Sequence, residues 1–149
     1  MVAVKEIMHG TTVVPSNFSV HEIAKIMESK GIGSVLIESD GEICGILTER
    51  DVLTKIVARA SDPVRVKACE IMTPVMYTID HNDTVIKASE IFTKYDIRRL
   101  PVTRDGKIIG MITARDVARA MPFALYTRIS NGRISGRNAY PEENHFPEF

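Results

Sequence analysis

Two short phrases, Thr48-Glu49-Arg50-Asp51 and Thr113-Ala114-Arg115-Asp116, each put a hydroxyl, a guanidinium and a carboxylate into one turn of chain. An ionised carboxylate accepts hydrogen bonds from vicinal hydroxyls of a sugar, and a guanidinium fork suits phosphate oxygens. A plainer use of the same spacing is a capping box, in which the threonine caps a helix and the aspartate three residues on answers it. Gly45 and Gly110 stand three residues before each threonine, in strands that are otherwise bulky. A glycine there lets another group approach the backbone closely. Either use satisfies the spacing. Arg50 and Arg115 are further phosphate candidates, or else partners of the aspartates beside them.

Arg98 and Arg99 precede the apolar run Leu100-Pro101-Val102, between a helix pattern and a core strand pattern. Adjacent arginines on a surface helix usually face solvent, but at such a junction they are placed for phosphate. At the matching place in the first half stand Gly33 and Ser34, which are uncharged. Any two sites built this way are unequal.

Other chemistry is thinly represented. His9, His21, His81 and His145 lack ligand spacing and read as surface or boundary residues, and two cysteines without a C-x-x-C pair make neither a disulfide framework nor a zinc site. No local Ser/His/Asp or Cys/His motif is present, so no catalytic residue, metal or enzymatic activity is expected. Nineteen basic and nineteen acidic residues give no net charge, which argues against electrostatic capture of nucleic acid or an anionic membrane. The apolar runs are too short to span a bilayer and the start lacks a signal peptide's apolar stretch, so the expected location is the cytoplasm.

The elements that must position these residues come in two copies. Val20 matches Val85, and at the same offset Ile26 matches Ile91, Asp40-Gly41 matches Asp105-Gly106, Gly45 matches Gly110 and Asp51 matches Asp116. "EIM" at 6–8 returns at 70–72, one residue out of step. In the first copy Val20, Ile23, Ala24 and Met27 mark the buried face of a helix over 20–30, opened by Ser19-x-x-Glu22 and closed by Gly31. "SVLIE" and "ICGILT" follow as a hairpin about the Asp40-Gly41 turn, and a second helix starts near Glu49. The second copy repeats this plan, with Val85, Ala88 and Phe92 on its helix and a last helix from about 114. With short strands near 12–14 and 76–79, each copy reads β-α-β-β-α. A unit of this size is hardly stable alone. The fold class is therefore α+β, with two repeats packed sheet to sheet. The expected divisions are 3–60, 61–121 and a C-terminal extension 122–149, with a linker at about 58–67 around Pro63.

The duplicated unit, closed each time by G-h-h-T-x-x-D and accompanied by "EIM", the D-G turns and "RRLPV", resembles the cystathionine β-synthase (CBS) domain in its tandem, Bateman-module form. The resemblance covers roughly residues 3–121. It implies a regulatory module binding AMP, ADP or ATP, or an adenosyl relative such as S-adenosylmethionine, in clefts between the copies, as a regulatory ligand and not a catalytic cofactor. It further implies that Thr48, Asp51, Thr113 and Asp116 face ribose and that Arg98 and Arg99, with Arg50 and Arg115, face phosphates. Val14 with Ile32, and Ile79 with Ile97, would form the adenine slots; valine and isoleucine at sheet positions also serve as plain core.

Residues 122–149 hold five of the nine aromatics, a hairpin signal at Asn131-Gly132 and extended, proline-containing chain, and are expected to anchor on a partner subunit. A homodimer acting on an unidentified effector protein is the leading expectation. The alternatives are a structural dimerisation or protein-interaction module without a nucleotide role and, less favoured by the charge, a nucleic-acid-binding accessory.

Overall fold

The computed structural model describes residues 2–120; the aromatic extension, its hairpin signal and Met121 lie outside the described residues. The element order is α1 (Val4–Ile7), β1 (Val13–Pro15), α2 (Val20–Lys30), β2 (Ser34–Ser39), β3 (Glu42–Thr48), α3 (Glu49–Val52), α4 (Ala68–Ile71), β4 (Thr73–Pro74), β5 (Ile79–Asp80), α5 (Val85–Tyr95), β6 (Arg99–Arg104), β7 (Lys107–Thr113) and α6 (Ala114–Ala120). A π-turn over Leu53–Val57 continues α3. Strands β1-β2-β3-β4 form one sheet and β5-β6-β7 another, so the protein is α+β with the two β-α-β-β-α units that its repeats require.

The local signals act as their chemistry dictates. Ser19 Oγ accepts from Glu22 N at 3.1 Å while Glu22 returns to Ser19 N at 2.8 Å, which opens α2; Gly31, at φ 62°, closes it. In the hairpins Asp40 and Gly41 have φ 53° and 79°, and Asp105 and Gly106 have 50° and 77°. Two consecutive positive φ values are the type I′ geometry that Asp-Gly tolerates best. Each hairpin carries one register shift, at Ile37/Glu38 and at Val102/Thr103. The strand expected near 76–79 begins only at Ile79.

Each sheet buries one face under its helices. Val14, Val35, Ile37 and Leu47 meet Val20, Ile23 and Met27 in the first core, while Ile79, Leu100, Val102 and Ile112 meet Val85, Ala88 and Phe92 in the second. Leu36 and Met111 alternate with these strand residues, point to the opposite faces, and are each only 1% exposed. Burial on both faces is what sheet-to-sheet packing produces.

The packing units interleave along the chain. Val4 of α1 belongs to the second core, with Val4 N donating to Asp83 O at 2.8 Å and His9 pairing with Met111 at the edge of β7. Conversely Ala68 and Ile71 of α4 belong to the first core, and β4 adds to β3 through Gly45↔Pro74 and Ile46↔Thr73. The repeated "EIM" is the part that crosses. Glu6 and Glu70 each reach back to the backbone N–H opening their helix, Ala3 N and Lys67 N, both at 2.6 Å.

Candidate functional site

The glycine of each repeated phrase has a use other than the close approach of a ligand. A Cβ on Gly45 would run into Met72, with its Cγ at 2.8 Å, and one on Gly110 would meet Met8 Cε at 2.5 Å and the His9 carbonyl oxygen at 2.6 Å. The groups that approach these glycines are the methionines of "EIM", so glycine and methionine form one packing pair in each half.

Both T-x-x-D phrases are capping boxes. Thr48 N donates to Asp51 Oδ2 at 2.9 Å and Asp51 N donates to Thr48 Oγ1 at 3.3 Å; the second copy has 2.8 Å and 3.1 Å for the same bonds. Beyond the box the copies differ. Thr48 Oγ1 also donates to Asp51 Oδ2 at 3.1 Å, and Lys55 Nζ, 3.0 Å from Asp51 Oδ1, donates to Ile71 O at 2.7 Å. Asp116 instead meets His9 Nε2 at 3.2 Å through Oδ2. Neither aspartate pairs with the arginine beside it. Among the described residues Arg50, Arg98, Arg99 and Arg115 form no ion pair.

Two clefts lie where the repeats meet, and each takes the T-x-x-D turn of one copy and the helix-to-strand turn of the other. The larger, of about 700 Å³, has Thr113, Ala114 and Arg115 on one side and Ile32, Gly33 and Ser34 on the other, with Thr11, Thr12 and His9 on its wall. The smaller, of about 360 Å³, joins Thr48, Arg50 and Asp51 to Asp96, Ile97 and Thr73. Arg98 and Arg99 line both. Arg99 reaches the larger cleft across Gly33, where an added Cβ would lie 3.4 Å from its guanidinium. Beside the smaller cleft a further cavity of about 130 Å³ is walled by Met76 and Tyr77, whose ring stacks on Tyr95 at 3.9 Å.

Ile32 and Ile97 thus sit on cleft walls, whereas Val14 and Ile79 do not. At 3% and 2% exposure these two are strand residues of the cores, paired with Ile37 and Val102. Thr12, just outside β1, stands on the wall of the larger cleft, whereas Tyr77, two residues before β5, lines the adjoining cavity and not the smaller cleft itself. Sequence reasoning passed over Lys55 and His9. Lys55 stands four residues after Asp51, a readable helix pair. His9 reaches Asp116 only because α1 crosses to the second half, which no local signal reveals.

Clefts of ligand size at the junction of two like α+β units define a duplicated binding module. The CBS domain profile matches residues 4–58 and 68–122, and the chain belongs to that family as a tandem pair. An uncharacterised protein of Methanopyrus kandleri is 38% identical over 108 residues, covering 71% of this chain, which spans only 55% of that relative. Hypoxic response protein 1 of Mycobacterium tuberculosis is 29% identical over 124 residues, 82% of this chain and 87% of that protein. A crystal structure of hypoxic response protein I with two coordinated zinc ions aligns at a TM-score of 0.69 and 28% identity, covering 81% of this chain and all of that one. Here, among the described residues, no three histidine, cysteine or acidic side chains gather to hold a metal. Among the described residues, no helix is long and apolar enough to cross a membrane.

Proposed function

We propose that this protein is a regulatory module that binds an adenine nucleotide, AMP, ADP or ATP or a related adenosyl compound, between its two CBS repeats and signals in trans to an effector protein. The observation carrying this reading is the larger cleft. It combines an apolar wall at Ile32, three arginines without an ion-pair partner among the described residues (Arg98, Arg99 and Arg115), and Thr113, while Asp116 stands outside the lining, in contact with the cleft residue His9. Its volume fits a nucleotide, the guanidinium groups match phosphate oxygens, and the carboxylate matches a ribose diol. Among the described residues no hydroxyl lining the cleft is hydrogen-bonded to His9, whose ring nitrogens meet Gly10 O and Asp116, so a binding role suits the cleft better than a catalytic one.

A ligand that binds only the folded chain stabilises it, by about 2.7 kcal/mol at a concentration 100 times the dissociation constant. The melting temperature should therefore rise with AMP, ADP, ATP or S-adenosylmethionine, and calorimetry should give the order of affinity. Absence of any shift at millimolar concentration would leave a structural dimerisation module. That second reading is favoured by the capping duty of both aspartates and by the exposed apolar side chains Leu53 and Val57 after α3.

A further inference from the structure

We infer that the acidic, aromatic stretch 140–149 docks on its own chain at the Tyr77–Tyr95 surface, with one aromatic ring in the cavity beside that stack and a glutamate on Arg99. Docked there, the stretch competes with a cleft ligand for Arg99, which lines both clefts as well as this cavity. The competition rests on the nucleotide reading above; the docking does not.

The surface is apolar, exposed and cationic at its edge. Between β4 and β5 the chain runs through Met76, which is 72% exposed, to Tyr77, whose ring stacks on Tyr95 at the end of α5; both tyrosines are exposed as well. Exposed apolar side chains that adjoin one another mark a place for a partner. The cavity beside them, of about 130 Å³, has Ile46, Ile97 and Pro101 in its walls. An apolar cavity of about 150 Å³ accepts a benzene ring, so this one is of the size for an aromatic side chain. Arg99 also lines it and no acidic residue does, while Lys94 Nζ stands 5.2 Å from the centre of the Tyr95 ring. Neither cation forms an ion pair among the described residues. Such a surface suits a segment that carries aromatic rings and carboxylates together.

The chain carries that segment, outside the described residues. Charge is segregated in its sequence: 121–139 hold Arg128, Arg133 and Arg137 and no acidic residue, whereas 140–149 hold Glu142, Glu143 and Glu148 and no lysine or arginine. Tyr140, Phe146 and Phe149 supply the rings. The length of chain is sufficient. The last described helix, α6, shares the second core with α5 through Val117 and Phe92, and Tyr95 is the last residue of α5. From Met121 to Ala139 the chain spans about 60 Å when extended, and a body the size of the described residues is about 35 Å across. Tethering makes the encounter intramolecular, which favours the chain's own surface over that of a second copy at micromolar protein.

The test is nuclear magnetic resonance of the full chain with labelled methionine methyl groups. The expected result is a nuclear Overhauser contact from the Met76 methyl to an aromatic ring of 140–149, present within one chain and lost when Tyr140→Ser, Phe146→Ser and Phe149→Ser are combined. A Met76 signal indifferent to that triple change would overturn the docking. A contact seen only between differently labelled chains in a mixed sample would give the surface to a second copy and overturn the own-chain assignment. Calorimetric titration with ADP checks the competition: Glu142→Gln, Glu143→Gln and Glu148→Gln together should tighten binding at least threefold, and equal affinity would overturn it. Absence of ADP binding to either chain would overturn the nucleotide reading and the competition with it, while the Met76 contact decides the docking independently.

Discussion

Arg98 and Arg99 are the residues on which ligand choice turns under the proposed function. They stand at the entry to β6, between the two clefts, and their charges are unanswered by any acidic partner among the described residues. An arginine fork gains most from a ligand with several phosphate oxygens. Replacing both by alanine should weaken ADP binding by about tenfold or more, roughly 1.4 kcal/mol, and adenosine binding far less. Parallel titrations with ADP and adenosine check this; equal losses would mean that the arginines shape the cleft without touching phosphate. At this scale the sequence was a good guide wherever partners are local. The capping boxes and the D-G turns follow from spacings of three residues or fewer, while the Asp51–Lys55 pair, four residues apart, was readable in the same way and was passed over. The contact of His9 with Asp116 joins residues far apart in the chain, and it was invisible for that reason.

The repeated glycines belong to the scale of the element, because they set how closely each "EIM" helix lies on its sheet. Gly45→Ala places a methyl group against Met72, and Gly110→Ala places one against Met8 and the His9 carbonyl. Overpacking of this kind costs about 1–3 kcal/mol. The two sites should respond differently to relief. Met72→Ala should recover part of the Gly45→Ala loss, since the obstacle is a side chain. Met8→Ala should recover little at Gly110, where backbone stands 2.6 Å away. Urea denaturation of the two double-mutant cycles measures the coupling directly. The helices and hairpins themselves were legible, since hydrophobic period and turn chemistry agree throughout both copies. Which "EIM" lies on which sheet was not, because a four-residue helix bearing one methionine matches either glycine equally well.

At the scale of the whole molecule the exposed apolar side chains are the surface on which we propose that the chain associates. Leu53 and Val57 are 60% and 64% exposed on the turn that continues α3, and Val64 is 63% exposed nearby in the chain. Leu53 and Val57 share one turn, and exposed apolar side chains that adjoin one another are candidates for an interaction site. Light scattering at micromolar concentration should show a homodimer, and Leu53→Glu with Val57→Glu should shift it to monomer while the melting profile stays cooperative. A dimer untouched by that double change would place the contact elsewhere. The fold class and the pairing of the two copies follow from the repeat alone, since neither unit is large enough to be stable by itself.

The crossing of α1 and α4 also bears on the order in which the protein is made. Synthesis runs from the N-terminus, so the first core cannot close when its own β-α-β-β-α unit has emerged; it waits for Ala68 and Ile71. The second core is in the opposite position, since Val4, its earliest member, leaves the ribosome before any other residue of that core. Until α4 emerges the nascent chain carries an unfinished first sheet, and α1 waits longer still, for the strands and helices of the second core. Cutting the gene between the copies would hand each half the other's "EIM" segment, leaving both with a gap where a methionine should meet its glycine.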